Sequence, residues 1–316
     1  MKEIIAHIGS GKCGSTAIQD ALERHLDVLT EQRIALLVPS HLADINAMNM
    51  ATYLSHQRVS EAHVARTRGV RAIPDTQEQL ALFRDRIAGL DADKLVISNE
   101  FFVDVHPQRH AERLRILREL LPDDGSKLTL VYYVRKPDNL LVSLYLQWFL
   151  PDLPVSMERF YRDFDFSGAG AQGLTLDWYR LVTAAKAQFP QARIIVRAYE
   201  KAAQDDLARD FWEAVGIDAM PDSLQSPRSN VSLRAMGYQV QARIGRHLPT
   251  RPRRFLYRAL LRVNPKTRFD KFVLLSERKR RQILDYYAAS YVRLFDEFGV
   301  GTSEELQRFW DINGAS

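Results

Sequence analysis

Cysteine is nearly absent. The 316-residue chain has one, Cys13, so no internal disulfide can form, and nothing in the sequence has the clustered Cys/His spacing of a zinc site. A reducing compartment is the expected setting. Long apolar runs are missing too: no window approaches the ~18 uninterrupted apolar residues of a membrane-spanning helix. The start, MKEIIAHIGSGK, offers too few apolar residues before its glycines for a signal-peptide core. A soluble, cytoplasmic protein is expected. Internal repeats and low-complexity segments are also lacking, and the chain is long enough to bury a sizeable core. Acidic residues are scarce in one place only. Residues 251–281 hold 12 of the 44 Lys and Arg but 2 of the 39 Asp and Glu, so the net charge of +5 is regional and the rest of the chain is acidic. Its partner should be regional as well.

What is present is concentrated in IIAHIGSGKCGSTAIQDAL, residues 4–22. It reads as a short apolar strand running into a glycine-rich loop and then into an amphipathic helix. That arrangement aims main-chain N–H groups and a helix N-terminus at an anion. A Walker A loop has the form GxxxxGKS or GxxxxGKT. Gly9 and Gly14 have that separation, but Ser15 stands where the lysine belongs, with Thr16 after it, and the one lysine, Lys12, lies inside the loop. An ATP-dependent kinase reading is thus weakened at the residue that reaches the terminal phosphates. A cradle of Lys12, Gly14, Ser15 and Thr16 remains, and the two hydroxyls could equally be helix caps.

Along the chain, the first helix is expected over 15–26, with Ile18, Ala21, Leu22 and Leu26 on one face. Apolar runs at 34–38, 95–97, 127–134 and 192–198 read as buried strands of a parallel sheet, and helical spacing separates them at 76–90, 110–121, 175–189 and 206–215. Residues 44–74 carry Arg58, Arg66, Arg68 and Arg71 without a long period and read as an insertion over the sheet edge, an acceptor lid or a solvated excursion. Residues 151–173 read as a second loop of that kind. Glu100 follows the strand at 95–97 and so faces the crevice of the glycine loop, where a helix-cap or salt-bridge role is as reasonable as a chemical one. Arg135 ends the strand 127–134, Pro137 suits the first turn of a helix, and Asn139, Ser143 and Gln147 share one helix face. Ser143 lies roughly 9 Å along that helix from Pro137 at 1.5 Å per residue, within reach of a long arginine. Beyond Pro221 helices and turns are expected without further strands. The fold class is α/β, a P-loop-type parallel sheet flanked by helices. A core at 1–220 would be followed by a mainly helical C-terminal extension, 221–316, packed on it.

Taken together, HIGSGKCGSTAIQ, VYYVRKPDNLLVSLY and VRAYEKA, in that order, resemble the sulfotransferases that use 3′-phosphoadenosine-5′-phosphosulfate (PAPS), and most closely the bacterial carbohydrate-type branch. The RSNVSLRAMG segment at 228–237 is similar to that branch too. The resemblance implies PAPS as cosubstrate and no metal. It implies that Gly11, Lys12, Cys13, Gly14, Ser15 and Thr16 surround the 5′-phosphosulfate, that Arg135 and Ser143 hold the 3′-phosphate, and that Asn230 and Ser232 lie near the nucleotide. Tyr199 resembles an adenine-side tyrosine, and is equally a strand-end core aromatic. Cys13 stands where Thr or Ser is usual, Gly11 replaces a bulkier residue, and Ala17 replaces a tryptophan of the cytosolic branch. Cys13 reads as a small side chain tolerated in a tight loop and not as a nucleophile.

The implied reaction moves a sulfuryl group to a hydroxyl or amine of a glycan, glycolipid or small molecule, with Lys12 stabilising the leaving oxygen. The base is expected to be Glu100, with His41 as the alternative and His106 third. The arginines of 58–71 lean towards an acidic or sulfated glycan. Two rivals stay open. One is a P-loop small-molecule kinase using ATP and magnesium. The other is a non-catalytic protein that binds nucleotides or an anionic surface through 251–281, where arginines alternate with apolar residues in a pattern suited to a membrane face, with nucleic acid a weaker match, or to packing back on the domain.

Overall fold

The structure is a computed structural model and describes residues 1–9, 11–38, 76–152, 155–167, 174–218, 221, 224, 233, 235–263 and 274–311. The expectations for His41, for the arginines of 58–71 and for Asn230 and Ser232 lie outside the described residues.

β1 (Glu3–His7) leads through the glycine loop to α1 (Ser15–Arg24), α2 (Leu26–Glu31) and β2 (Ile34–Leu37). α3 (Thr76–Ala88) precedes β3 (Lys94–Ser98), and a single 3₁₀ turn at Glu100–Phe102 leads to α4 (Pro107–Leu120). β4 (Lys127–Val134) is followed by α5 (Pro137–Leu144), which runs on as a π turn over Tyr145–Phe149. Then come α6 (Met157–Arg162), α7 (Trp178–Gln188), β5 (Arg193–Ala198), α8 (Tyr199–Asp205) and α9 (Leu207–Ala214). The C-terminal region holds α10 (Ala235–Arg243), α11 (Thr250–Val263), α12 (Glu277–Phe298) and α13 (Ser303–Trp310), and among the described residues no strand follows β5.

The five strands form one parallel sheet in the order β2-β3-β1-β4-β5. β1 lies at the centre, with Ile5 opposite Val96 on one side and Thr129 on the other. Its Ile4, Ile5 and Ala6 are buried, as are Leu130–Val134 of β4, because helices cover both faces and leave no side of these strands for water. From β1 the chain moves to the far edge, β2, whereas from β4 it moves the other way, to β5. The carboxyl ends of β1 and β4 therefore bound a switch-point crevice, the usual position for ligands in open α/β sheets.

The α/β reading holds, with local corrections. The helix expected over 15–26 breaks at His25, which adopts φ −115° and separates α1 from α2. Residues 157–162, read as part of a loop, form a helix capped by Ser156, whose Oγ accepts from Arg159 N at 3.2 Å, because Met157 and Phe160 are buried one turn apart. Neither Ser15 nor Thr16 caps α1. The cap position is Gly14 at φ 80°, and no side chain accepts there.

The C-terminal helices reach the crevice. α12 packs on α7 and α5 through Ile283, Leu284, Tyr287, Tyr291, Leu294 and Phe295. Arg280 donates to Asp138 Oδ2 at 2.6 Å and to Asn139 Oδ1 at 2.9 Å, which ties α12 to the first turn of α5. Lys279 pairs with Glu158. These two cations of the 251–281 stretch are engaged by acidic partners within the molecule, Arg280 by the buried Asp138 and Lys279 by Glu158 at the surface.

Candidate functional site

The loop after β1 is shaped by two left-handed residues, Lys12 at φ 77° and Gly14 at φ 80°. At Gly14 a side chain is excluded twice over: by φ, and because a Cβ there would stand 2.0 Å from Leu207 Cδ2 and 3.0 Å from Tyr199 Cε2. This close approach seats the N-terminus of α1 against α8 and α9. Lys12, which has a Cβ, holds the same region of φ against its preference, a strained conformation of the sort found at binding loops. Cys13 is buried and in no disulfide, which agrees with its reading as a small packed side chain. Ser15 is buried and donates its hydroxyl to Glu100 Oε2, while Thr16 is exposed at the first turn, where N–H groups lack intrahelical acceptors.

Glu100 reaches this point because β3 pairs with β1 in register, Ser98 opposite His7, so the turn after β3 stands beside the loop after β1. Gln19 of α1 donates to Ser98 O at 3.1 Å and holds the two together. The Lys12 ammonium is half-buried, and burial lowers its pKa from the ordinary lysine value. Nearby Glu100 opposes the shift and Arg135 adds to it.

Arg135 joins the loop to α5. Its Nη1 donates to Lys12 O at 2.8 Å and to Ser143 Oγ at 3.2 Å, and its guanidinium lies over the Tyr199 ring, 5.2 Å from the centroid. Ser143 is thus within reach of the strand-end arginine, as its place along α5 suggests. Arg135 O accepts from Trp178 Nε1 at 3.2 Å and Tyr291 Oη at 2.9 Å, so the main chain under the guanidinium is held from two helices. Its Nε is buried without a hydrogen-bond acceptor among the described residues, with Glu200 Oε1 3.9 Å away. Tyr199 packs on the core, as a strand-end aromatic would, and its ring also lies under the Arg135 guanidinium.

Three contributors were not singled out from the sequence. Glu200 accepts from Lys136 N at 3.1 Å and Asn139 Nδ2 at 3.2 Å, and burial raises its pKa against the lowering effect of Asn139 and Arg135. Tyr291 and Arg280 come from α12, far away in sequence. The signal for Glu200 was its place directly after Tyr199, which the β4–β5 register, Val134 opposite Ala198, sets beside Arg135. His106, the third candidate base, opens α4, with its N–H donated to Asp104 Oδ1 at 2.9 Å. No group of three or more potential metal ligands occurs among the described residues. A cleft of about 870 Å³ lies at the other end of the sheet, lined by residues at the starts of β1, β4 and β5. None of its lining residues has a buried polar atom in want of a partner, so the donors at the carboxyl edge, and not this cleft, define the site.

Beneath the loop His7 is fully buried, bonded through Nδ1 to Ser98 Oγ at 2.8 Å, and burial pushes its pKa down to about 3. His110, also buried, is lowered to about 4, chiefly by burial. A base whose folded pKa lies below its unfolded value of about 6.5 costs stability as pH falls, because below 6.5 the unfolded chain binds the proton first. At pH 5 each of the two histidines is expected to remove about 2 kcal/mol. Urea unfolding between pH 7 and 5 checks this: His7→Gln should flatten the slope, and an unchanged slope would contradict it.

Comparison with solved structures finds similarity to a sulfotransferase from Alicyclobacillus acidocaldarius, at TM-score 0.48 and 14% identity, over 96% of this chain and 98% of that one. No family model matches the chain, and no curated protein matches it. A likeness at this level adds nothing to the chemistry, which rests on the side chains described above. No helix among the described residues is long and apolar enough to cross a membrane.

Proposed function

We propose that the chain is a PAPS-dependent sulfotransferase acting on a hydroxyl or amine of a glycan, glycolipid or small molecule. The observation that carries this reading is the bridge made by Arg135, from the carbonyl of the loop lysine to the hydroxyl of Ser143. It supports the reading because a second cation–hydroxyl pair stands beside a loop whose lysine is out of register for a Walker motif. Two such donor sets suit a nucleotide with two separated anionic groups.

On this reading Gly11, Cys13, Gly14 and Thr16 shape the loop around the phosphosulfate with Ser15, and Arg135, Ser143 and Tyr199 take the 3′-phosphoadenosine side. The acceptor oxygen bonds to sulfur as the bond from sulfur to the phosphate oxygen breaks. Lys12 neutralises charge on the departing oxygen, and Glu100 takes the acceptor's proton. Positioning and charge stabilisation carry most of the work, as in phosphoryl transfer.

Thermal unfolding tests the nucleotide class. Adenosine 3′,5′-bisphosphate without metal, at 100 times its Kd, should stabilise the protein by about 2.7 kcal/mol, seen as a rise in Tm. A rise with ATP and magnesium alone would turn the assignment to a kinase.

A further inference from the structure

We infer that the face of α11 formed by Arg251, Phe255, Arg258 and Arg262, with Ile244 beside it, docks the protein on an anionic lipid surface. The inference does not depend on the reaction proposed above. These four positions of α11 follow the spacing i, i+4, i+7, i+11, which falls on one stripe of a helix. All four are exposed, Phe255 at 74%. The opposite side is spoken for: Tyr257, Leu260 and Leu261 pack on the core. Two other arginines of α11 fix its orientation, Arg253 by donating to Leu248 O at 2.9 Å and Asp152 O at 2.7 Å, and Arg254 by pairing with the Asp152 carboxylate.

The pattern is therefore divided cleanly. Tyr257, Leu260 and Leu261 pack inward, whereas Phe255 stands outward among arginines with most of its ring exposed. α10 packs alongside and ends in exposed Arg243, and Ile244, 53% exposed, and exposed Arg246 follow it. From Ala235 to Val263 the sequence has seven arginines and no Asp or Glu. A positive face with a protruding aromatic and an aliphatic complements an anionic headgroup layer with acyl chains beneath it. A nucleic acid would use the arginines and could stack on Phe255, but has no use for Ile244.

The test uses the full chain and co-sedimentation with two vesicle preparations, phosphatidylcholine alone and phosphatidylcholine mixed with phosphatidylglycerol. Binding is expected only to the mixed vesicles, and to weaken as salt rises. At about fivefold per basic residue near such a surface, the Arg251→Gln/Arg258→Gln/Arg262→Gln variant should lose on the order of a hundredfold in partitioning. Phe255→Ser should weaken binding with all charges kept, which separates insertion from charge attraction. All four side chains are exposed, so the variants should keep the parent Tm and the parent response to adenosine 3′,5′-bisphosphate. That response also keeps failure of the docking idea distinct from failure of the enzymatic one. Absence of binding to mixed vesicles, equal binding by the triple variant, or saturable binding to single-stranded nucleic acid in place of vesicles would each overturn the inference.

Discussion

Arg135→Ala is expected to weaken binding of adenosine 3′,5′-bisphosphate by about 100-fold, since two charge-assisted hydrogen bonds of roughly 1.5 kcal/mol each are lost. The same change should also destabilise the fold. Arg135 and Glu200 are both mostly buried, 3.9 Å apart, and removing the cation leaves the carboxylate with neutral donors only, Lys136 N and Asn139 Nδ2. Breaking a buried pair costs about 3–5 kcal/mol where the contact is close; the retained donors and the longer separation argue for about 2. The loss should depend on pH. The Glu200 pKa is already raised by burial and partly held down by Arg135, so in the variant it rises further. Where the folded pKa exceeds the unfolded one, the folded state binds more protons and stability falls with rising pH. The variant's deficit relative to the parent should accordingly be larger at pH 7 than at pH 5. Adding Glu200→Gln removes the stranded charge, so the double variant should regain stability without regaining nucleotide affinity. Isothermal titration and urea unfolding read the two effects separately. Parent-like nucleotide binding by Arg135→Ala would remove Arg135 from the site.

The reach of the sequence differs between the two halves of this arrangement. β4 was legible because KLTLVYYV runs without a polar break from Leu130 to Val134, all of it buried, and Pro137 marks where the next helix starts. Arg135 and Ser143 are eight residues apart in a strand end and the helix after it, so local geometry alone brings them together. Glu200 is different. Its place in the site depends on the pairing of β4 with β5, and the apolar pattern shows that both are strands but not that they are neighbours. Tyr291 and Arg280 were further from view, lying in a C-terminal region for which the sequence indicated only helices and turns, more than 140 residues from Arg135. The same limitation applies to Ser15. A hydroxyl at a helix start reads first as a cap, and only the β1–β3 register shows that it faces a carboxylate. In the basic stretch, spacing revealed an amphipathic helix but could not divide Arg253, Arg254 and Arg280, which bind main-chain and acidic partners, from Arg251, Arg258 and Arg262, which face outward.

Glu100→Gln is expected to lower kcat by about 10²–10⁴, the usual contribution of a positioned base. The substitution is isosteric, so Ser15 can still donate to the side-chain oxygen, and affinity for adenosine 3′,5′-bisphosphate should remain within a few-fold of the parent. A second readout distinguishes loss of a base from general disturbance of the loop. Glu100 opposes the lowering of the Lys12 pKa, so the neutral amide should let that pKa fall further. Lys12 then loses its proton at a lower pH than in the parent, and nucleotide affinity should begin to fall at correspondingly lower alkaline pH. Ser15→Ala gives the complementary measurement: it removes the donor but keeps the charge, so the alkaline limb should stay in place while turnover changes through the altered position of Glu100. Full kcat in Glu100→Gln would dismiss the carboxylate as base and leave His41 and His106 to be tested. An unchanged kcat together with a shifted alkaline limb would assign Glu100 to the electrostatics of Lys12 alone, because the proton would then be leaving the acceptor by another route while the loop still felt the missing charge.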